Sequence, residues 1–247
     1  MPKVIAVIPA RYASTRLAGK PLADICGQPM IERVYERAIA ARSVNTVVVA
    51  TDDRRICDAV LRFGGNAVMT SVSHSSGTDR IAEAVSGTDA DIIVNIQGDE
   101  PLLAPEAIDA AVAPLIEDAH LQLATLKTLI TDEEDYHNPN VVKVTTDTNG
   151  FALYFSRSPI PYVRAGFGSG ARVYKHIGLY VYRRAFLPIF SKLPPSMLEA
   201  AESLEQLRAI ENGFRIKVVE TSYNPISVDT PEDLERVRAI VKGLGLD

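Results

Sequence analysis

The feature that most limits the fold is an alternation in the first half of the chain. Short apolar, β-branched runs are each followed by an amphipathic stretch. Residues 4–8 (VIAVI), 44–50, 67–70 and 91–96 read as strands. Residues 29–42 and 54–63 read as helices, as does a segment capped by Thr78 or Ser76, and residues 105–117 supply a fourth. Pro29 suits a first helical turn, with Met30, Ile31, Val34, Ala38 and Ile39 as the apolar stripe. Gly64 and Gly65 close the next helix. Strands that alternate with helices at such short spacing build right-handed βαβ units and a parallel sheet. Ligands of such sheets bind at the carboxyl ends of the strands.

The second half loses this rhythm. Residues 122–129, 141–146, 151–156, 175–182 and 216–220 read as strands, and Asn149-Gly150 is a hairpin signal. Helices are expected over 203–212, stopped by Gly213, and over 231–242. The GFGSG stretch, 166–170, reads as a mobile loop. The expected architecture is α/β, with a mostly parallel central sheet and a small antiparallel annex. We expect one domain, 1–247, divided into halves 1–120 and 121–247.

Composition narrows the partners. The 247 residues carry 26 Lys and Arg against 31 Asp and Glu, a net charge of −5. Such a chain has no general electrostatic footprint for nucleic acid or an anionic membrane, so any anion must be held by a local cluster. No apolar run reaches bilayer length. Arg11 ends the first apolar run too early for a signal peptide, and a cytoplasmic location is expected. Cys26 and Cys57 fit a reducing compartment as buried thiols, and their spacing excludes a metal knot or a redox CxxC.

The cluster is found just after the first strand. Residues 11–20 carry Arg11, Arg16 and Lys20 with Ser14 and Thr15 between them, a ready polyphosphate site. The stretch is neither GxxxxGK[ST] nor GxGxxG, which disfavours a dinucleotide oxidoreductase. Asp99, in QGDEP after the fourth strand, reaches the same crevice and is a candidate Mg²⁺ ligand, with Glu100 as its competitor. Near the other end, Pro231 at the first helical position makes Thr230 the N-cap and Asp233 the capping-box residue. Asp229 then falls outside the helix, open to a metal role. Arg80 at a helix start opposes the macrodipole, which points to a ligand role, whereas His74 reads as a loop-stabilising residue. Arg157, Lys175 and His176 either clamp an acidic substrate or discourage edge-strand aggregation.

Taken in order, PARYASTRLAGKPL, HSSGTDR, NIQGDEP, FSRSPIPY, YKHIGLYVYRR, ESLEQLR and VDTPEDLERV resemble the CMP-Kdo synthetases, the 3-deoxy-manno-octulosonate cytidylyltransferases. The resemblance covers nearly the whole chain. It implies a three-layer, Rossmann-like nucleotidyltransferase fold, a homodimer, Mg²⁺ dependence, and transfer of CMP from CTP to Kdo for lipopolysaccharide. By the same resemblance Arg11, Ser14, Arg16, Lys20, Arg80 and Asp99 would serve the nucleotide, and Asp99 and Asp229 the metal. Arg16, Lys20, Asp99 and Asp229 would be the catalytic set. Gln97, Arg157, His176, Tyr180, Glu205 and Gln206 would line the sugar pocket. Rival readings are a cytidylyltransferase for 8-amino-Kdo or a sialic acid, and a nucleotide-sensing module without catalysis.

Overall fold

Strand β1 (Val4–Ala10) has every side chain but Pro9 buried, as a strand covered on both faces must. The computed structural model to which it belongs describes residues 2–13, 17–74 and 76–245. Two compact units make up the chain, Met1–Asp109 with Pro225–Asp247, and Ala110–Asn224.

In the first unit β1 is followed by a short 3-10 turn (Lys20–Leu22) and a two-stranded ribbon of β2 (Asp24–Ile25) and β3 (Gln28–Pro29). Helix α1 (Met30–Ile39) leads to β4 (Thr46–Thr51), α2 (Arg54–Arg62) to β5 (Ala67–Met69), and α3 (Gly77–Ala84) to β6 (Ile92–Asn95). β1 pairs in parallel with β4 and β6, and β4 pairs in parallel with β5. The expected βαβ succession is therefore present, with boundaries shifted by a residue or two. Pro29 is the N-cap of α1 instead of a first-turn residue, because its extended ψ of 145° keeps it in the ribbon. Ile39 leaves the expected stripe and is exposed, while Tyr35 and Arg33 are buried in its stead. Ser76 caps α3 by accepting from the Asp79 amide, which settles the choice against Thr78. Both cysteines are free; Cys57 is buried, but Cys26 only partly.

Helix α4 (Pro105–Glu117) carries the chain into the second unit. There β7 (Leu123–Leu129), α5 (Glu133–His137), β8 (Lys143–Thr146), β9 (Ala152–Ser156) and β10 (Tyr174–Arg183) follow. Next come α6 (Leu187–Lys192), α7 (Met197–Glu202), α8 (Leu207–Glu211) and β11 (Lys217–Glu220). β7 runs antiparallel to β10 and parallel to β11. β8 and β9 form the hairpin that Asn149-Gly150 announces. The expected helix 203–212 is not continuous. Ser203 ends α7 in a left-handed conformation at φ 52°, and only Leu207–Glu211 is helical beyond it. The loop 166–170 has no regular structure, yet Phe167 pins it by stacking on Tyr136 at 5.5 Å between ring centroids.

β10 is bulged between Ile177 and Tyr180. In a regular strand residues four apart stand about 13 Å from each other. Here the bulge brings the His176 and Tyr180 rings to 5.3 Å. One Thr125 hydroxyl hydrogen serves the carbonyls of Leu179 (2.8 Å) and Ile177 (3.1 Å), so it is the His176 Nε2–H that donates to Thr125 Oγ1, at 2.9 Å. Phe155 packs edge-on against the same imidazole. This loss of water pushes the His176 pKa from 6.5 down to about 3, although part of the residue stays exposed.

The chain returns to the first unit in α9 (Pro231–Gly243). Thr230 Oγ1 accepts from the Asp233 amide at 3.2 Å, and Asp233 Oδ2 accepts from the Thr230 amide at 2.9 Å. This is the capping box expected from the sequence.

Two outcomes follow. Thr230→Ala lowers stability by about 1 kcal/mol in urea denaturation, the usual cost of losing such a cap. Because His176 stays neutral in the fold while the unfolded chain takes up a proton below pH 6.5, its contribution to stability falls between pH 6.5 and about 3. The unfolding free energy of His176→Gln therefore declines less steeply with acid than that of the unsubstituted protein.

Candidate functional site

Sequence neighbours do not create this site; strand ends do. β1, β4 and β6 are parallel, so the segments that follow them emerge on one edge of the sheet. Gly98 allows the segment after β6 to approach the end of β1, since a Cβ there would lie 3.3 Å from the Pro9 carbonyl oxygen. The Val228 amide then donates to the Asp99 carbonyl at 2.9 Å, which draws the entrance of α9 to the same edge.

Three charged groups meet there. Lys20 Nζ donates to Asp99 Oδ2 at 2.7 Å and to Asp229 Oδ1 at 3.1 Å. Burial alone would lower the Lys20 pKa, but the two carboxylates, Asp99 first, outweigh it and raise the pKa above 10.5. Asp99 is thus the acid brought to Lys20, whereas Glu100 is buried and does not line the recess. Asp229 lies outside α9 as expected, with its amide donating to Asp233 Oδ2 at 3.0 Å.

The recess around this trio measures about 430 Å³ and is lined by Pro9, Ala10, Arg11, Ala13, Lys20, Pro21, Gly77, Arg80, Gln97, Gly98, Asp99 and Asp229. Size alone would favour another cavity of the same unit, about 720 Å³, bounded by Arg33, Arg37, Leu102 and Ile240. There, however, Arg33 Nε donates to the Ile25 carbonyl and Arg37 Nε to that of Leu103, and no acid pair gathers around a lysine. The chemistry belongs to the smaller recess.

Two carboxylates on separate segments, already gathered around one positive centre, form the sparse oxygen donor set that suits Mg²⁺. No group of three or more His, Cys, Asp and Glu that could hold a metal occurs among the described residues. Substrate oxygens and water would complete the coordination of an ion held here.

The remaining expected nucleotide residues are placed as follows. Arg11 is exposed, and its guanidinium donates to the His74 carbonyl. His74, expected only to stabilise its loop, pairs through Nε2 with Glu83. Ser14 and Arg16 lie outside the described residues. Arg80 is fully buried, with Nη1 2.5 Å from Thr70 Oγ1 and Nη2 2.6 Å from Asp52 Oδ2. Its Nε has no hydrogen-bond partner among the described residues. The charge that sat awkwardly at a helix start is thus balanced by Asp52, which follows β4. Nothing in the spacing of residues 52, 70 and 80 reveals that triad in advance.

The residues expected to line a sugar pocket fall in both units. Gln97 lines the recess of the first. In the second, Arg157 donates to the carbonyls of Glu202 (2.7 Å), Pro139 (3.0 Å) and Ser203 (3.4 Å), and its amide donates to the Glu202 carboxylate at 2.9 Å. Lys143, fully buried, holds the same corner by donating to the carbonyls of Val141, Arg157 and Asn138 at 2.6–2.8 Å. Neither Lys143 nor Glu202 was singled out by the sequence, since both require knowing that β8, β9 and α7 meet. His176 and Tyr180 share the bulge of β10, Gln206 is buried, and Glu205 Oε1 lies 3.9 Å from Arg208.

Comparison with known proteins identifies the family. The Cytidylyltransferase family profile matches residues 5–218. A 3-deoxy-manno-octulosonate cytidylyltransferase of Geobacter sulfurreducens is 58% identical over 95% of this chain and 97% of its own. One of Geotalea daltonii is 56% identical over 98% of this chain and 100% of its own. A solved structure of CMP:2-keto-3-deoxy-manno-octonic acid synthetase complexed with CTP superposes with a TM-score of 0.93 at 48% identity, covering 98% of this chain and 99% of that one. A cytidylyltransferase of Leptospira borgpetersenii shares the fold at a TM-score of 0.65 and 17% identity, covering 98% of this chain and 88% of its own. With its parallel strand edge, its clustered acids and these relatives, the chain belongs to the CMP-Kdo synthetase (3-deoxy-manno-octulosonate cytidylyltransferase) family.

Proposed function

We propose that this protein transfers CMP from CTP to the anomeric hydroxyl of Kdo, giving CMP-Kdo and pyrophosphate for lipopolysaccharide. The observation that carries the reading is the convergence of Asp99 and Asp229 on Lys20 beside the loop after β1. It stands in a chain whose relatives are named for this activity over nearly their full length.

The anomeric oxygen attacks the α-phosphorus in line, and pyrophosphate departs as the bond to the β-phosphate oxygen breaks. Such a transfer asks little covalent chemistry of the protein, so positioning and charge neutralisation supply the acceleration. Mg²⁺ held by Asp99 and Asp229 would supply positive charge to the α-phosphate and lower the pKa of the attacking hydroxyl. Lys20, Arg16 and Arg11 neutralise the triphosphate and its leaving pyrophosphate, with Ser14 as a hydrogen-bonding neighbour. Arg80 and the loop backbone hold the cytosine. Gln97, Arg157, His176, Tyr180, Glu205 and Gln206 hold the sugar acid. At neutral pH His176 acts there as an uncharged hydrogen-bonding and packing group, consistent with its lowered pKa. The protein works in the cytoplasm as a homodimer on this reading. No helix of the described residues is long and apolar enough to cross a membrane.

Pyrophosphate release measured side by side with Kdo, 8-amino-Kdo and sialic acid tests the proposal. Release dependent on both CTP and Kdo is expected, with the other sugars turned over more slowly. CTP binding without release on any of these sugars would instead favour the sensing module. In the same assay Asp229→Asn lowers kcat by about a hundredfold or more, the loss expected when metal-borne charge stabilisation is removed. Its CTP affinity, measured by calorimetry, stays within about threefold, and equal turnover at saturating Mg²⁺ would rule out the metal role.

A further inference from the structure

The loop after β1 begins at Tyr12 and ends at Gly19, and the two residues touch. The Gly19 amide donates to the Tyr12 carbonyl at 3.2 Å. Gly19 has φ 66°, and a Cβ on it would lie 3.0 Å from Tyr12 Cζ, so the phenol ring rests on the bare glycine backbone. Lys20 follows at once and begins the 3-10 turn, which packs against α2. The position of the lysine that binds both acids is therefore tied to this closure.

The other face of the ring is also covered. The guanidinium carbon of Arg55 stands 3.3 Å from the Tyr12 ring centroid. Arg55 is an exposed residue of α2, yet its orientation is fixed. Asp53 Oδ1 accepts from Arg55 Nε at 2.9 Å, and Oδ2 accepts from Nη2 at 2.6 Å. Asp53 is itself held as the N-cap of α2, accepting from the Arg55 amide at 2.9 Å.

We propose that the stack of Arg55 on Tyr12 on Gly19 is a latch that fixes Lys20 before nucleotide arrives, making Arg55 and Tyr12 positioning residues for CTP. The inference rests on the assignment of Lys20 to the triphosphate. Its physical basis is preorganisation: a cation already held in place loses less freedom when it meets a polyanion.

Calorimetric titration of CTP into the full-length protein and its variants tests the latch. Arg55→Ala and Tyr12→Leu each weaken CTP binding about fivefold, the upper range of a cation–π contact at an exposed site. They raise KM for CTP by the same factor, with KM for the sugar and the thermal midpoint unchanged. Arg55→Lys keeps the charge but loses the planar fork, and it behaves like Arg55→Ala. Tyr12→Phe keeps the ring and restores tight binding, and the double variant Tyr12→Leu with Arg55→Ala is no weaker than either single one. Wild-type affinity in Arg55→Ala or in Arg55→Lys would overturn the latch, as would additive losses in the double variant. These outcomes leave the proposed reaction standing, because they presuppose an unsubstituted protein that binds CTP. An unsubstituted protein that binds no CTP would overturn the reaction and the latch together.

Discussion

Two carboxylates cannot be held side by side for nothing. At an effective dielectric constant of about 20, their mutual repulsion at such range is about 3 kcal/mol. In this protein one ammonium group, Lys20, answers both Asp99 and Asp229. All three side chains keep some contact with water, so the pairings themselves add little net stability. What they do is keep two like charges together at the edge of the sheet where β1 and β6 end. The backbone hydrogen bond from Val228 to Asp99 and the glycine at 98 serve the same end from the main chain.

The parts of this arrangement differ in how openly the sequence declares them. β1 and its parallel neighbours are legible because burial on both faces writes itself as unbroken apolar runs. The entrance of α9 is legible residue by residue, since Thr230, Pro231 and Asp233 each have a chemical reason for their position. That reasoning left Asp229 outside the helix before its partner was known. The contact that matters most, Lys20 between two acids, joins residues separated by 79 and 209 positions, and no local rule encodes it.

The second unit hides more. A period-two reading puts His176 and Tyr180 on one face but far apart, and only the bulge at Ile177 to Tyr180 brings the rings together. The break at Ser203 opposes a helical pattern that continues through it, because Arg157 binds the carbonyls of Glu202 and Ser203 from a distant strand end. Lys143 spends its three donors on main-chain oxygens, a role that composition cannot distinguish from that of a surface lysine. In each case a tertiary hydrogen bond overrules a local preference.

One consequence concerns the order in which the polypeptide leaves the ribosome. The first unit is discontinuous, so Ile25 and Met30 share their apolar cluster with Val228, Leu234, Val237 and Val241. During synthesis the amino-terminal side of that cluster waits, wet, while more than a hundred intervening residues are added. The second unit can therefore finish while the first is still half-built, and Asp229 arrives only after it. A nascent chain of this protein has no acid pair until the whole second unit has been synthesised.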